Sequence, residues 1–220
     1  MKTPHQKGRS LHSSAFTRLE LAVVILLLGV LAALVLPIWK AARDRAKLIQ
    51  CITKSKEVWL AFTIFANEHG DKIPPSLPSS HGGSAEFASG SEIYRHFIAV
   101  SNQLGSPSKL VCPADSRRAA ADWSAFRNDQ LSYFLTLDFD ERNGGGLAMG
   151  DRHLASPGIS NASLTLTSNS IVSWSTKLHG ERVGNLSLAD GQVLPSWEPE
   201  LRKNVLSSLT NAPTNHLVFP

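Results

Sequence analysis

The sequence predicts an α+β fold: one long N-terminal helix followed by a small antiparallel sheet domain. Three observations predict it. A helical pattern runs without interruption from about Thr17 to His69. Six short strand-like runs follow between Leu131 and Leu194, with no alternation of strand and helix of the kind a parallel sheet needs. Asp190-Gly191 sits between the last two runs, a strong hairpin signal.

The helix divides into two parts of different chemistry. Leu21 to Trp39 is a run of 19 residues without a charge, and only Gly29 and Pro37 fall outside the hydrophobic class. At 1.5 Å per residue this is roughly 28 Å of helix, close to the hydrocarbon thickness of a bilayer. Beyond it, Leu48, Ile52, Trp59, Phe62 and Ala66 recur at three- and four-residue spacing, with Cys51, Val58 and Phe65 beside them. Lys40, Arg43, Arg45, Lys47, Lys54 and Lys56 largely cover the other side. The second half is therefore expected to lay an apolar stripe on the following domain. Gly70, with Pro74-Pro75 behind it, supplies a stop.

After a Pro/Ser/Gly-rich loop from Pro74 to Gly90, Ser91 to Gln103 reads as a short helix. The strand-like runs are Leu131–Leu137, Gly146–Met149, Ser163–Thr167, Ile171–Trp174, Asn185–Ala189 and Gln192–Leu194. Ala189-Asp190-Gly191-Gln192 reads as a two-residue hairpin turn centred on Asp190 and Gly191. Pro199 to Leu209 is a last amphipathic helix, with Leu201, Val205 and Leu209 on one face.

Composition narrows the function. The chain has 220 residues, 42% hydrophobic and 18% charged, with a formal net charge of +4 and two cysteines. Two cysteines exclude a disulfide scaffold and a four-cysteine zinc fold. The basic balance points to nucleic acid or a membrane surface until the charges are located. Residues 1–15 hold Lys2, Lys7 and Arg9 and no acid, and they precede the apolar run as a signal n-region does. Without those three cations the formal charge falls from +4 to +1. No nucleic-acid partner is expected.

Glu20 stands at the lip of the apolar run, where a carboxylate is costly unless it stays in the headgroups or finds a cationic partner. AFTRLELAVVILLLGVLAALVLPIW, Ala15 to Trp39, resembles the class III signal of type IV pilins and type II secretion pseudopilins. The resemblance implies cleavage by a prepilin peptidase between Ala15 and Phe16, N-methylation of Phe16, and a Glu at the fifth mature position, which is Glu20. The helix-distorting proline of the family's stem is matched by Pro37. Ala15 departs from the usual Gly, and Arg18 from the usual apolar residue. Segments 1–15, 16–69 and 70–220 would then be leader, stem helix and periplasmic domain. The implied function is a structural subunit of a secretion or pilus-like filament in the bacterial inner membrane, not an enzyme. Its implied partners are the peptidase, other pseudopilin subunits and an inner-membrane secretion platform. The rival is an uncleaved, membrane-anchored periplasmic binding domain, for example for glycans.

Cys112-Pro113-Ala114-Asp115, and His179-Gly180 followed by NLSLADGQV, resemble pilin-like proteins with an H-X9-DG C-terminal domain, known from planctomycetes and verrucomicrobia. Ten residues separate His179 from Asp190, one more than the motif's name. GDRHL, Gly150 to Leu154, resembles a GDRN segment in some of them.

Cys51 and Cys112 would lie outside the cytoplasm, where they either form a disulfide or stay as two thiols. His153, His179, Asp151 and Asp190 either form a metal or acid–base site, or His179 and Asp190 hydrogen-bond around the hairpin with Asp190 set by the turn. Asp138 to Gly144 gathers oxygens before glycines, as calcium loops do, but departs from EF-hand order at Arg142 and Gly144; a plain acidic turn is the other reading. No other cofactor is expected. Trp123, Trp174 and Trp197 either form a sugar platform or fill the core.

Overall fold

The computed structural model describes residues 17–89, 91–139, 145–175, 178–179, 182–210 and 214–220. It divides into two compact units, residues 1–42 and 43–220. Helix α1, Arg18–Glu68, begins in the first and ends in the second.

The described part of the first unit is helix, and its apolar side chains are exposed. Leu19, Leu26, Leu31, Leu36 and Trp39 each show more than half of their surface. One helix near the N-terminus is thus long and apolar enough to span a membrane.

The second unit is α+β. Its main sheet has six antiparallel strands: β1 Tyr133–Thr136, β2 Leu147–Asp151, β4 Ser163–Leu166, β6 Val183–Leu188, β7 Val193–Trp197 and β8 Asn215–Val218. Their order is β4-β8-β1-β2-β6-β7. The short strands β3 Leu154–Ala155 and β5 Ser173–Trp174 pair separately. Helix α4 is Glu198–Ser208.

The sheet is covered on both sides. Val58, Ala61, Phe62 and Phe65 of α1 share one apolar cluster with Tyr133, Leu135, Met149 and Val218. Phe134, Leu147, Leu186 and Leu217 join the other cluster with Leu201 and Val205 of α4 and with Trp174. Successive strand residues point to opposite faces, so β1, β2 and β6 are buried along their whole length. The edge strand β7 carries Pro195, whose missing N–H is tolerated where no further strand pairs.

The C-terminus of α1 closes as its sequence suggests. Gly70 adopts φ 67°, and the Asp71 N–H reaches back to the Ala66 carbonyl at 2.9 Å. Three expectations need correction. The helix expected over 91–103 is two, α2 Tyr94–Ala99 and α3 Ser101–Leu104, broken at Val100, whose backbone leaves the helical region and whose side chain is fully buried. The chain does not end on a helix. Strand β8 follows α4 and inserts between β4 and β1, which only the tertiary fold can specify for a four-residue segment. The hairpin turn is longer than two residues, as described below.

His96 on α2 is buried, its Nδ1 2.7 Å from Ser84 Oγ. Burial lowers its imidazole from 6.5 to about 4. The folded chain thus holds the neutral ring, while the unfolded chain takes up a proton near pH 6.5. This contribution is complete above pH 6.5 and is lost as the pH falls toward 4, amounting to on the order of 3 kcal/mol. Urea unfolding at pH 7 and pH 4.5 checks this. The wild type is expected to lose most of that amount between the two, and His96→Gln to lose much less.

Candidate functional site

Four segments distant in sequence converge on one buried polar cluster in the second unit. Cys51 comes from α1, and Cys112 and Asp115 from the loop before β1. Asp151 and Arg152 come from the end of β2, and His179 from the loop before β6.

Cys51 and Cys112 form a disulfide, with Cα atoms 5.1 Å apart, and both are fully buried. It ties α1 to the loop before the sheet. Lys54, one turn on, donates to the carbonyls of Ser108 and Val111, each at 2.8 Å, and holds the same loop. Ser55 Oγ meets Ser187 Oγ of β6 at 2.7 Å, again buried.

The His179 imidazole lies against this bond. Its Nε2 is 4.0 Å from Cys112 Sγ and 3.7 Å from Asp151 Oδ2, and both side chains are fully enclosed. Both sulfurs and the imidazole nitrogen lie within 4.8 Å of one another. Asp151 Oδ2 accepts from the Asn185 backbone N–H at 2.7 Å and from its Nδ2 at 3.2 Å. Asp151 Oδ1 and His179 Nδ1 have no partner among the described residues. Tyr133, paired with Asp151 in the sheet, is also buried, and burial together with the Asp151 charge pushes its phenol well above the usual range.

Beside the cluster, Arg152 grips Asp115 with two parallel hydrogen bonds, Nε and Nη2 each at 2.8 Å. Burial alone would raise the Asp115 carboxyl, but the Arg152 guanidinium outweighs it and holds the group at about 2. Arg117 reaches the carbonyls of Asn128, Leu131 and Pro220, so the same loop also fastens the C-terminus.

Asp190 is not part of this cluster, which corrects the expected pairing with His179. The polar contacts of His179 are with Cys112 and Asp151, while Asp190 Oδ1 accepts from the Gln192 N–H at 2.8 Å and closes its own turn. The turn is a three-residue loop, Ala189 to Gly191, because Leu188 still pairs with Gln192. A two-residue turn of the expected kind needs positive φ at both central residues. Here Gly191 has φ 83°, and Asp190 is not left-handed. Trp59 of α1 explains what Gly191 is for. Its Nε1 donates to the Ala189 carbonyl at 3.1 Å, and a Cβ on residue 191 would stand 2.8 Å from its ring. The hairpin is thereby docked on the helix.

The other expected residues fall elsewhere. Ala15 and Phe16 lie outside the described residues. Glu20 caps the start of α1: its Oε2 accepts from the Thr17 N–H at 2.9 Å, and Thr17 Oγ1 accepts from the Glu20 N–H at 3.2 Å. This reciprocal box was legible as Thr-x-x-Glu before an apolar run. The helix continues through position 37. Of the acidic segment, Asp138 binds His216 through its backbone N–H at 3.0 Å and its Nδ1 at 2.7 Å, and residues 140–144 lie outside the described residues. The three tryptophans do not share a surface: Trp174 is buried in the cluster with α4, Trp123 packs at the edge of the other cluster, and Trp197 is exposed.

Cysteine, histidine and aspartate are the residue types of a nucleophile with its base and orienting group, but that layout uses the two ring nitrogens separately, whereas Cys112 and Asp151 both face His179 Nε2. Here the sulfur is bonded to Cys51, so it carries no thiolate for attack. What the arrangement does in this state is covalent and polar fastening of α1 to the sheet. Comparison with protein-family models, with curated proteins and with solved structures finds no match to this chain.

Proposed function

We propose that the chain is a pilin-like or pseudopilin-like filament subunit. In this reading it is made as a precursor, cut by a prepilin peptidase between Ala15 and Phe16, and N-methylated at Phe16. It waits in the inner membrane with its N-terminus in the cytoplasm and residues 43–220 in the periplasm. It then joins other subunits on an inner-membrane secretion platform. It is a substrate of an enzyme rather than an enzyme itself.

One observation carries the reading. A helix whose apolar side chains are exposed along its first half bears a single acidic residue, Glu20, in its first turn and continues into a compact α+β unit. Exposed leucines and valines over that length need lipid or the stems of other subunits around them. In a bundle of stems the Phe16 ammonium of an incoming subunit would pair with Glu20 of a neighbour. In such a low-dielectric place the pair sets register more than net stability.

The cap on Thr17 provides the control for this role. Glu20→Gln keeps acceptors for the Thr17 N–H but carries no charge. Filament recovery from sheared cells is expected to fall about tenfold or more in both Glu20→Gln and Glu20→Ala, as when a charged pair loses one partner. Wild-type recovery with Glu20→Gln would reduce Glu20 to a helix cap.

A further inference from the structure

The disulfide, the imidazole and the carboxylate described above also make sense as a set of metal ligands. We propose that, when Cys51 and Cys112 are reduced, their two sulfurs and His179 Nε2 bind one zinc-class divalent cation, with Asp151 as the fourth ligand.

The geometry is close to what such an ion needs. Zinc takes thiolate sulfur at about 2.3 Å and imidazole nitrogen at about 2.0–2.1 Å, so neighbouring donors of a tetrahedral site stand roughly 3.3–3.8 Å apart. His179 Nε2 is 4.0 Å from Cys112 Sγ and 3.7 Å from Asp151 Oδ2. Both sulfurs and that nitrogen fall within 4.8 Å of one another. Two adjustments are needed: the two sulfurs are too close, because they are bonded, and Asp151, which is within 3.7 Å of His179 Nε2 but outside the group that lies within 4.8 Å, must move toward the sulfurs. Breaking the bond lets the sulfurs separate by about 1.7 Å, a change that side-chain rotation can supply.

The chemistry of the donors agrees. Two thiolates and an imidazole are soft to borderline ligands that select zinc over calcium or magnesium. The thiolates cancel the ion's two charges in a fully buried place, where an uncancelled charge would be costly. With Asp151 as the fourth ligand the assembled site keeps one net negative charge, that of the Asp151 carboxylate, which Asn185 already serves with two hydrogen bonds.

The exchange balances simply. A dithiol or phosphine reductant gives two electrons to the Cys51–Cys112 bond and is itself oxidised, and two protons complete the two thiols. The incoming ion then displaces both thiol protons to solvent, and neutral His179 binds through Nε2. Disulfide and metal are thus alternative fastenings of α1 to the loop before the sheet, one for an oxidising and one for a reducing setting, and the metal would add the Asp151 and His179 segments. This inference does not depend on the filament reading.

The test uses the full chain in detergent, reduced with a phosphine under argon and titrated with Co2+ as the spectroscopic probe. Tetrahedral d–d bands and sulfur-to-cobalt charge transfer are expected to saturate at one equivalent and to disappear on adding Zn2+. The oxidised chain should give neither. His179→Gln is expected to weaken binding at least 100-fold and Asp151→Asn about 10-fold. Near-UV circular dichroism of the oxidised variants verifies that each is folded before reduction. Where reduction loosens the fold, Zn2+ should restore the near-UV signal. A reduced wild type that gives no one-equivalent tetrahedral spectrum overturns the proposal, whether it stays folded or unfolds beyond rescue by the metal. Undiminished affinity in folded His179→Gln overturns it equally.

Discussion

Replacing Cys51 and Cys112 together by serine is expected to lower stability by about 4 kcal/mol. The bond closes a segment with a sequence separation of 61, and in the chain-entropy model a loop of that length contributes this amount by restricting the unfolded chain. The effect is large for a domain whose total stability is on the order of 10 kcal/mol. It should also be local in its consequences. Cys51 lies on α1 one turn before Ser55 and two turns before Val58 and Trp59, all of which face the sheet or its hairpin. Loss of the bond should therefore raise hydrogen exchange first in the Cys112–Asp115 loop and in the second half of α1. Urea unfolding of the oxidised wild type and the double variant, followed by exchange, measures both. A difference below about 1 kcal/mol would mean that packing of α1 alone fixes the loop.

The second large effect is expected at Arg152. Arg152→Met should cost about 3 kcal/mol near neutral pH, because it leaves Asp115 buried without its cation. Asp115 is almost fully enclosed while Arg152 remains about a quarter exposed, so the figure is placed at the low end for a broken buried pair. The pH dependence has a definite sign. In the wild type the carboxyl titrates at about 2 rather than 3.8, so its stabilisation is present above about pH 4 and is lost as the pH falls toward 2. In Arg152→Met burial dominates and the carboxyl is protonated more readily. The gap between the two proteins should thus be widest above pH 4 and shrink below it. Asp115→Asn in the Arg152→Met background should recover part of the loss, since it removes the unpaired charge. A gap that is constant from pH 7 to pH 3 would show that Arg152 acts through packing alone.

These two sites also show how much the sequence could say. The membrane-length run from Leu21 to Trp39, the stripe from Leu48 to Ala66 and the stop at Gly70 are local patterns, and α1 follows them within a residue at each end. The strands of the sheet centre were legible as apolar runs because both faces of the sheet are covered. Strand β8 was not, since Asn215–Val218 is too short and mixed to declare itself; its place between β4 and β1 comes from the sheet. The hairpin was recognisable from Asp190-Gly191. Its length was not, because the contact that shapes it comes from Trp59, 132 positions before Gly191.

The cluster itself was legible in parts: Cys51 with Cys112 as a candidate disulfide, and His179 with Asp151 within a candidate set of four that also held His153 and Asp190. Cys112, Asp115, Asp151, Arg152 and His179 each stand in a short segment that the resemblance singles out, yet no spacing rule joins them. Sequence proximity suggested His179 with Asp190. The fold instead places His179 with Asp151 across β2 and β6, and gives Asp190 to its own turn. Conversely, Thr17 and Glu20 carried a local capping signal that is easily passed over beside the more conspicuous apolar run.

The central claim is that this chain is processed as a filament subunit, and the mature N-terminus tests it most directly. Protein should be extracted from native membranes and its intact mass and N-terminal sequence determined. The account predicts a chain that begins at N-methylated Phe16 and has lost residues 1–15. A chain that retains Met1, or one cut after Trp39, would contradict it.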